Sequence, residues 1–212
     1  MSDSRDWRTV YDFWFPPGLD DVDLETHRRM FGWWFGGGAN PELARFAAVL
    51  EAARTGRLDP WLATPLGRAS LIVVLDQFPR GLFIGKPEAY AADADALRIA
   101  EDGLRNGQYD RLTKPWEQTF FFLPLAHTEG PDHMKRLERV VAMAERVALT
   151  APERLKPLYR HSVSQARGHL EVIARFGRFP HRNPVLGRAS TPEEVAYLEK
   201  GDFVHTRRPP QS

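Results

Sequence analysis

Proline and glycine divide this chain into segments whose apolar residues recur at helical spacing. Pro16-Pro17-Gly18 ends the first segment, Gly36-Gly37-Gly38 the second, and Gly177 a long segment near the C-terminus. Proline lacks a backbone donor and glycine readily adopts the left-handed conformation of a C-cap, so both residues stop helices. No stretch alternates apolar and polar residues for long, so strands are not supported. The pattern predicts an all-α fold of about 8–9 helices, stacked as antiparallel pairs.

Residues that start helices occur at matching places. Asn40-Pro41 and Thr64-Pro65 each combine an N-cap side chain with proline in the first turn, and Thr191-Pro192 is followed by two glutamates. Acids near the positive end of the helix dipole stabilise such a start. The predicted helices are Asp6–Phe15, Val22–Phe35, one from Asn40 that Gly56 ends, one from Thr64 to Phe78 that Pro79 ends, Pro87–Leu104, one from Lys114, Pro131–Leu149, Pro152–Phe176 and one from Thr191 to Leu198. We expect a single helical domain over residues 1–205 and a flexible tail over residues 206–212.

Composition excludes several classes of function. The chain has 212 residues and no cysteine, so it forms no disulfide and offers no thiolate for catalysis or metal binding. Its 29 basic and 28 acidic side chains give a net charge of +1, which argues against a nucleic acid as partner. The first residues lack an apolar signal segment, and the longest apolar runs, 71–75 and 120–123, are too short to cross a membrane. We therefore expect a soluble cytoplasmic protein.

Charge is distributed unevenly along the chain. Residues 154–188 contain seven Arg and one Lys but a single acid, Glu171, which gives this segment a charge of +7. One interpretation is that basic and acidic faces pack together or are solvated. The other interpretation is that the arginines gather around an anion.

An aspartate follows the apolar run at residues 71–75. Asp76 is thus predicted at the end of a buried helix, where burial and the helix dipole both disfavour its charged form. A cation must compensate it; Arg80 is the local candidate and the basic segment around Arg178 the distant one. In one interpretation Asp76 and its arginine form a structural pair that fixes a loop. In the other they form the wall of a site, in which Asp76 acts as a base or a ligand. Gln77 belongs to the same motif.

A histidine and a glutamate follow the aromatic helix that contains residues 120–123. His127 and Glu129 are separated by one residue and precede Gly130-Pro131. An imidazole titrates near neutrality and a carboxylate orients it, so the two side chains are candidates for proton transfer. The alternative is a structural histidine that donates to Glu129 or to a backbone carbonyl. The spacing differs from that of the His-Glu-x-x-His zinc motif, so no metal site is predicted from it.

Basic side chains crowd the end of the helix that Gly177 terminates. Three arginines and His181 lie between residues 175 and 182, more than one helix end requires. Arginine binds carboxylates and phosphates through two parallel hydrogen bonds. We expect an anion here, either an internal carboxylate, Asp76 or Glu129, or a ligand. The candidate ligand-binding residues of the whole chain are Gln77, Arg80, His169, Arg175, Arg178, His181, Arg182 and Asn183.

Taken in order, these motifs resemble the bacterial domain-of-unknown-function 924 family. The resemblance rests on Leu75–Arg80, on Leu123-Pro124 with His127-Thr128-Glu129, and on Arg175–Asn183 followed by Leu186-Gly187-Arg188 and Ser190–Glu194. It covers nearly the whole chain and implies an all-helical, tetratricopeptide-like superhelix, but it implies no activity. The chain departs from the family pattern at Gly81–Ile84, at Thr128 and at His133 or Met134, and the first departure removes a basic group next to Arg80.

Two classes of function are compatible with the motifs. In the first, stacked helix pairs form a concave surface with a polar pocket, where Arg178 and Arg182 bind an anionic small molecule or peptide. In the second, the chain is a hydrolase or transferase acting on an anionic metabolite. His127 is then the general acid or base, and Glu129 or Asp76 orients it.

Two further interpretations stay open. Asp76, His127 and Glu129 form a metal site in one, and all the motifs only fix loops in the other. We expect no cofactor and no bound metal, and the sequence leaves the oligomeric state open.

Overall fold

Most helices of the computed structural model, which describes residues 6–207, begin and end close to the residues that the sequence marks. Two predicted helices are corrected: the one from Pro87 starts only at Asp93, after a 3-10 turn, and the one from Asn40 is divided by a 3-10 turn at Ala44–Phe46. The α-helices are α1 Trp7–Trp14, α2 Leu24–Phe35, α3 Asn40–Leu43, α4 Ala47–Arg54, α5 Pro65–Asp76, α6 Phe78–Leu82, α7 Asp93–Arg105, α8 Pro115–His127, α9 His133–Thr150, α10 Lys156–Phe176 and α11 Pro192–Lys200. Short 3-10 turns connect them at Ala44–Phe46, Asp59–Ala63, Pro87–Tyr90, Tyr109–Arg111, Glu153–Leu155 and Pro180–Arg182, and a further one, Val204–Thr206, follows α11. No strand occurs in this part of the chain, which confirms the all-α fold.

Caps explain several helix ends. The Thr64 hydroxyl accepts from the Gly67 N–H at 3.1 Å and starts α5, and Gly177, with φ of 69°, ends α10 in the left-handed conformation. Thr191 and Glu194 form a capping box at the start of α11. Among residues 6–207, nine of the α-helices have eight or more residues, in line with the predicted number.

Pro79 has a different place from the one predicted. The helix expected to run from Thr64 to Phe78 ends at Asp76, and Pro79 lies in the first turn of the new helix α6. Proline is tolerated there because the first N–H groups of a helix have no partner within the helix. The break brings Asp76 and Arg80 to the same junction.

Helix α5 lies at the centre of the packing. Every residue from Gly67 to Asp76 is buried, and α5 contacts α1, α4, α7 and α8. Helix α8 packs in turn on α9, and α9 packs along α10 as an antiparallel pair joined by a short connection. The C-terminal ends of α5 and α8, which carry the first two motifs, therefore meet beside the end of α10.

The C-terminal residues 206–212, predicted as a flexible tail, lie partly outside the described residues. The Arg207 guanidinium pairs with Asp202 at 3.1 Å, and its backbone carbonyl accepts from Gln165 Nε2 at 3.1 Å. Nothing is described beyond Arg207, so the tail and the single-domain boundary at residue 205 stay predictions. None of the helices in residues 6–207 is long and apolar enough to cross a membrane.

Candidate functional site

Asp76 and His127 meet where α5 and α8 end, and the two side chains are here called the dyad. His127 Nδ1 lies 2.8 Å and 2.9 Å from the two carboxylate oxygens of Asp76. The Asp76 side chain is 1% exposed and that of His127 is 20% exposed. Because an ionised carboxylate only accepts hydrogen bonds, Nδ1 carries the proton and Nε2 of the neutral ring carries a lone pair. Nε2 has no hydrogen-bond partner among residues 6–207.

Two further groups hold Asp76 in its charged form. Gln77 donates from Nε2 to the carboxylate, and Arg80 lies 3.5 Å from Oδ1 while also donating to the Asp76 backbone carbonyl. Burial opposes ionisation, but Arg80 and His127 outweigh it and hold the pKa of Asp76 well below its usual range. Arg80, the local partner predicted from sequence, is confirmed as the cation that compensates Asp76.

Asp93 links two arginines that are far apart in sequence. Its Oδ1 forms a 2.9 Å ion pair with Arg80 Nη2, without hydrogen-bond alignment, and its Oδ2 accepts from Arg182 Nη1 at 3.3 Å. Burial raises the pKa of Asp93, an effect that Asp76 reinforces and the two arginines oppose. The sequence motifs did not include Asp93. Its only signal is its position as the first residue of α7, where the helix dipole favours an acid.

The Arg182 guanidinium lies between two aromatic rings. Its Cζ is 4.4 Å from the ring centre of Tyr90 and 4.8 Å from that of Phe179. The side chain is 6% exposed, and its Nε has no hydrogen-bond partner within the described part of the chain. Cation–π contacts stabilise the charge, while burial lowers the pKa of Arg182. Tyr90 was another residue that the sequence motifs missed.

Glu129 has other partners than His127. It accepts from the Phe179 N–H at 2.6 Å and from both terminal nitrogens of Arg188. Burial raises its pKa, but the hydrogen bonds from Arg188 and Phe179 lower it overall. Of the two carboxylates proposed to orient His127, the structure therefore places Asp76 in contact and Glu129 in a separate ion pair. Arg188 was not among the predicted site residues.

Arg178 forms a closed group with α11. Its Nε and Nη2 donate to the two carboxylate oxygens of Glu194 at 2.7 and 2.8 Å, and Nη2 also donates to the Ala189 carbonyl. Asn183 Nδ2 contacts the same carboxylate at 3.3 Å. The hydrogen bonds, first that from Arg178, lower the pKa of Glu194 to about 2. The internal carboxylates expected for the basic cluster, Asp76 and Glu129, are wrong for Arg178, because within residues 6–207 its side chain donates to Glu194 and to the Ala189 carbonyl.

Arg175 belongs neither to the group around Asp76 and Asp93 nor to the Arg178–Glu194 group. It pairs with Glu193 at 2.7 Å, and the two side chains are 53% and 59% exposed. An exposed pair of this kind contributes little stability. The structure therefore does not bring Arg175 together with the other candidate residues.

Three histidine rings surround the ring of Phe179. The rings of His133, His169 and His181 have centres 5.2, 5.4 and 5.4 Å from that of Phe179. Burial lowers the pKa of His169 to about 3 and that of His181 to about 2, and nearby cations, Arg182 among them, add to both shifts. These rings are consequently neutral at pH 7.

A metal site receives no support from this arrangement. Within residues 6–207, no three His, Asp or Glu side chains are placed to hold a metal ion. Asp76 and His127 contact each other, while Glu129 is engaged by Arg188. Two surface grooves, of about 370 and 360 Å³, lie elsewhere, the first between α9 and α10 and the second beside α2.

Two comparisons with known proteins agree with the fold and the motifs. Residues 10–202 match the family described as "Bacterial protein of unknown function (DUF924)". The chain belongs to this family. A solved structure of a protein of unknown function from Agrobacterium tumefaciens is similar, with 30% sequence identity and a TM-score of 0.69. The similarity covers 92% of this chain and 97% of that one. No curated protein matches this DUF924 member significantly.

Proposed function

We propose that this protein is a hydrolase in which His127 transfers a proton to and from a small substrate with an anionic group. One observation carries the proposal: a partly exposed imidazole whose Nδ1 is bound to a buried carboxylate and whose Nε2 is free of partners in residues 6–207. Asp76 would hold the tautomer that leaves the Nε2 lone pair available, and it would stabilise the imidazolium after proton uptake. Nε2 would then take a proton from water and return it to the leaving group.

The charges around the dyad support an anionic substrate. Arg80 and Arg182 are balanced by Asp76 and Asp93, so the group is close to neutral while His127 is neutral. Proton uptake by Nε2 adds a positive charge, which a neighbouring anion stabilises. Substrates that carry a negative group near the reacting bond are therefore favoured over neutral ones.

Binding without reaction is the second candidate function. The observation in its favour is the unpartnered Nε of Arg182, a donor that a bound carboxylate or phosphate would satisfy. A tetratricopeptide-like stacking of helix pairs, as the family resemblance implies, would supply a concave surface for a small ligand or a peptide. A cytoplasmic location and the absence of nucleic-acid partners remain predictions from composition.

Hydrolysis of two chromogenic esters tests the proposed function. The purified protein is assayed with p-nitrophenyl phosphate and p-nitrophenyl acetate, next to the variants His127→Gln and His161→Gln. His161 is a matched control, since it is a partly buried histidine of α10 bonded to Gln165 and not to the dyad. We expect His127→Gln to lower kcat by about 10²–10⁴-fold and His161→Gln to leave it unchanged. Equal rates in both variants, or no hydrolysis by the unmodified protein, would overturn the proposal.

A further inference from the structure

We propose that His169, His181 and His205, here called the histidine face, form the subsite for the anionic group of the substrate, and that this group is a phosphate. The inference rests on the proposed function and names its substrate class. It adds a residue from the C-terminal turn, His205, that none of the sequence motifs included.

The turn that carries His205 is docked on α10. Val204 is 4% exposed and lies over Gly168, where any Cβ would come within 3.0 Å of both Val204 methyl carbons. Gln165, one turn earlier on α10, donates to the Arg207 carbonyl at 3.1 Å. The absence of a side chain at Gly168 thus allows the close approach that fixes the turn Val204–Thr206 against the helix.

Docking places the His205 ring against His181 and Phe203. The ring centres of His181 and His205 are 4.3 Å apart, and the rings of Phe203 and His205 are parallel to within 2°. His205 is exposed, and His169 and His181 are half-buried, so the histidine face lies at the surface of the fold. The face lies beside Phe179, whose ring also contacts the Arg182 guanidinium.

The histidine face has no carboxylate of its own within residues 6–207. The nearby acids Asp76, Asp93 and Glu129 are each paired with an arginine. Burial lowers the pKa of His205, and both Arg182 and His127 lower it further. The rings are therefore neutral at pH 7, and the permanent cations that act on them are Arg182 and Arg188. A bound anion would raise the pKa of the rings.

A phosphate fits this environment better than a carboxylate does. A phosphate carries a charge of about −2 near pH 7 and has three strong acceptor oxygens, one for each imidazole. Its charge would favour protonation of the rings, so binding is coupled to proton uptake. The titratable and charged groups that act on the face are His127 from α8, His133 from α9, Arg182 and Arg188 from the segment after α10, and Asp202 and Arg207, paired with each other, on the turn itself.

Anion titrations followed by imidazole NMR test the subsite. Inorganic phosphate and acetate are added at pH 7, and sulfate, a dianion at both values, is added at pH 6 and pH 8. We expect phosphate to shift the His169, His181 and His205 signals and to bind at least about tenfold more tightly than acetate. Sulfate should bind at least about tenfold more tightly at pH 6 than at pH 8, because binding takes up a proton.

Two variants separate the subsite from a general charge effect. His205→Gln should weaken phosphate binding about tenfold and leave the fold intact, because His205 is exposed. Arg167→Gln, which removes an exposed positive charge of α10 that pairs with Glu145, should bind phosphate like the unmodified protein. Unshifted histidine signals, acetate binding as tight as phosphate binding, or equal weakening in the two variants would each overturn the proposal.

The outcomes also separate the two proposals. Phosphate binding at the histidine face without any ester hydrolysis would leave the subsite standing and refute the proposed function. Hydrolysis that depends on His127 but is unaffected by His205→Gln, with no phosphate binding, would refute the subsite alone.

Discussion

Arg178 and Arg182 lie four residues apart, but they belong to two separate groups of ion pairs with different properties. Arg178 holds the buried Glu194 through two hydrogen bonds, and the remaining acceptors of that carboxylate are used by Thr191 and Asn183. Arg182 pairs with Asp93, which also pairs with Arg80, and Arg80 pairs with Asp76. Asp76 in turn contacts His127, whose Nε2 has no hydrogen-bond partner among residues 6–207.

The difference shows that density of charge does not identify a site. Both groups bury a carboxylate beside arginine, and the sequence presents both arginines in one motif. The Arg178 group contains no side chain that changes protonation near neutral pH, and both carboxylate oxygens of Glu194 accept hydrogen bonds from Arg178. The group around Arg182 ends on His127, a partly exposed imidazole whose Nε2 has no hydrogen-bond partner among residues 6–207. An available ring nitrogen is the property that proton transfer requires.

Removal of Asp93 should have the largest effect on stability. Asp93→Ala leaves Arg80 and Arg182 without their shared carboxylate, and Arg182 is 6% exposed. Breaking a buried ion pair from one side costs about 3–5 kcal/mol, so urea unfolding should show a loss of that size. Asp95→Ala is the matched control on the same helix, because Asp95 and its partner Arg98 are 55% and 60% exposed. Similar losses in the two variants would contradict a central role for Asp93.

Removal of Glu194 should destabilise the protein less. Glu194→Ala breaks the capping box of α11 and releases Arg178, but the Arg178 side chain is 31% exposed and water can solvate it. We expect a loss of about 2 kcal/mol in urea unfolding, with no change in ester hydrolysis. Glu193→Ala, which removes the exposed neighbour, should cost less than about 0.5 kcal/mol. A drop in hydrolysis for Glu194→Ala with stability unchanged would reverse the roles assigned to the two groups.

Acidification should distinguish the region around Phe179 and Arg182 from the Arg178–Glu194 group, because each changes the stability of the protein over a different pH range. Burial lowers the pKa of His133 to about 4, so the unfolded chain binds a proton at this residue that the folded chain refuses between about pH 6.5 and pH 4. Stability therefore falls as pH falls, and His133 alone accounts for about 2 kcal/mol between pH 7 and pH 5. The stability that Glu194 contributes decreases only below about pH 4.5, because its pKa in the folded chain is about 2.

Unfolding by urea at pH 7 and pH 5 measures this dependence. The variant His133→Asn should show a smaller loss over the interval than the unmodified protein, while Glu194→Ala should show the same loss. A stability that stays constant or rises on acidification would contradict the assignment of neutral buried histidines around Phe179.

Removal of Arg175 should have the smallest effect. Arg175→Ala breaks an exposed pair with Glu193, so unfolding should change by less than about 0.5 kcal/mol and phosphate binding should not change. A clear loss of phosphate affinity would show that Arg175 takes part in the site, in contradiction to the inference from its exposed position.

Much of the fold was predictable because its signals are local. Caps and helix stops at Thr64, Gly177 and Thr191 act within a few residues, so the sequence marks them directly. Pro79 was misplaced because proline that ends one helix and proline that begins the next look alike in sequence. Arg80 was found as the partner of Asp76 because the two residues are one helical turn apart.

The rest of the site depends on contacts between residues distant in the chain. Asp93 lies in an alanine-rich segment without a motif, and only the packing of α7 against α5 brings it to Arg80. His205 is the last residue of the predicted domain and lies in a stretch after α11 to which the sequence assigned no motif. Glu194 was read as a helix-start acid, and it is one, but the same carboxylate also binds Arg178. The spacing of residues in the sequence reveals the local capping role of Glu194 but not its contact with a distant arginine.

The tautomer of His127 tests the central claim most directly. Long-range proton–nitrogen NMR of the ring at pH 8 reports which nitrogen carries the proton, with the His161 ring as an internal reference. We predict a proton on Nδ1 and a lone pair on Nε2 in the unmodified protein, and a loss of this single tautomer in Asp76→Asn, whose amide can donate as well as accept. A proton on Nε2, or the same tautomer in both proteins, would show that Asp76 does not prepare His127 for proton transfer.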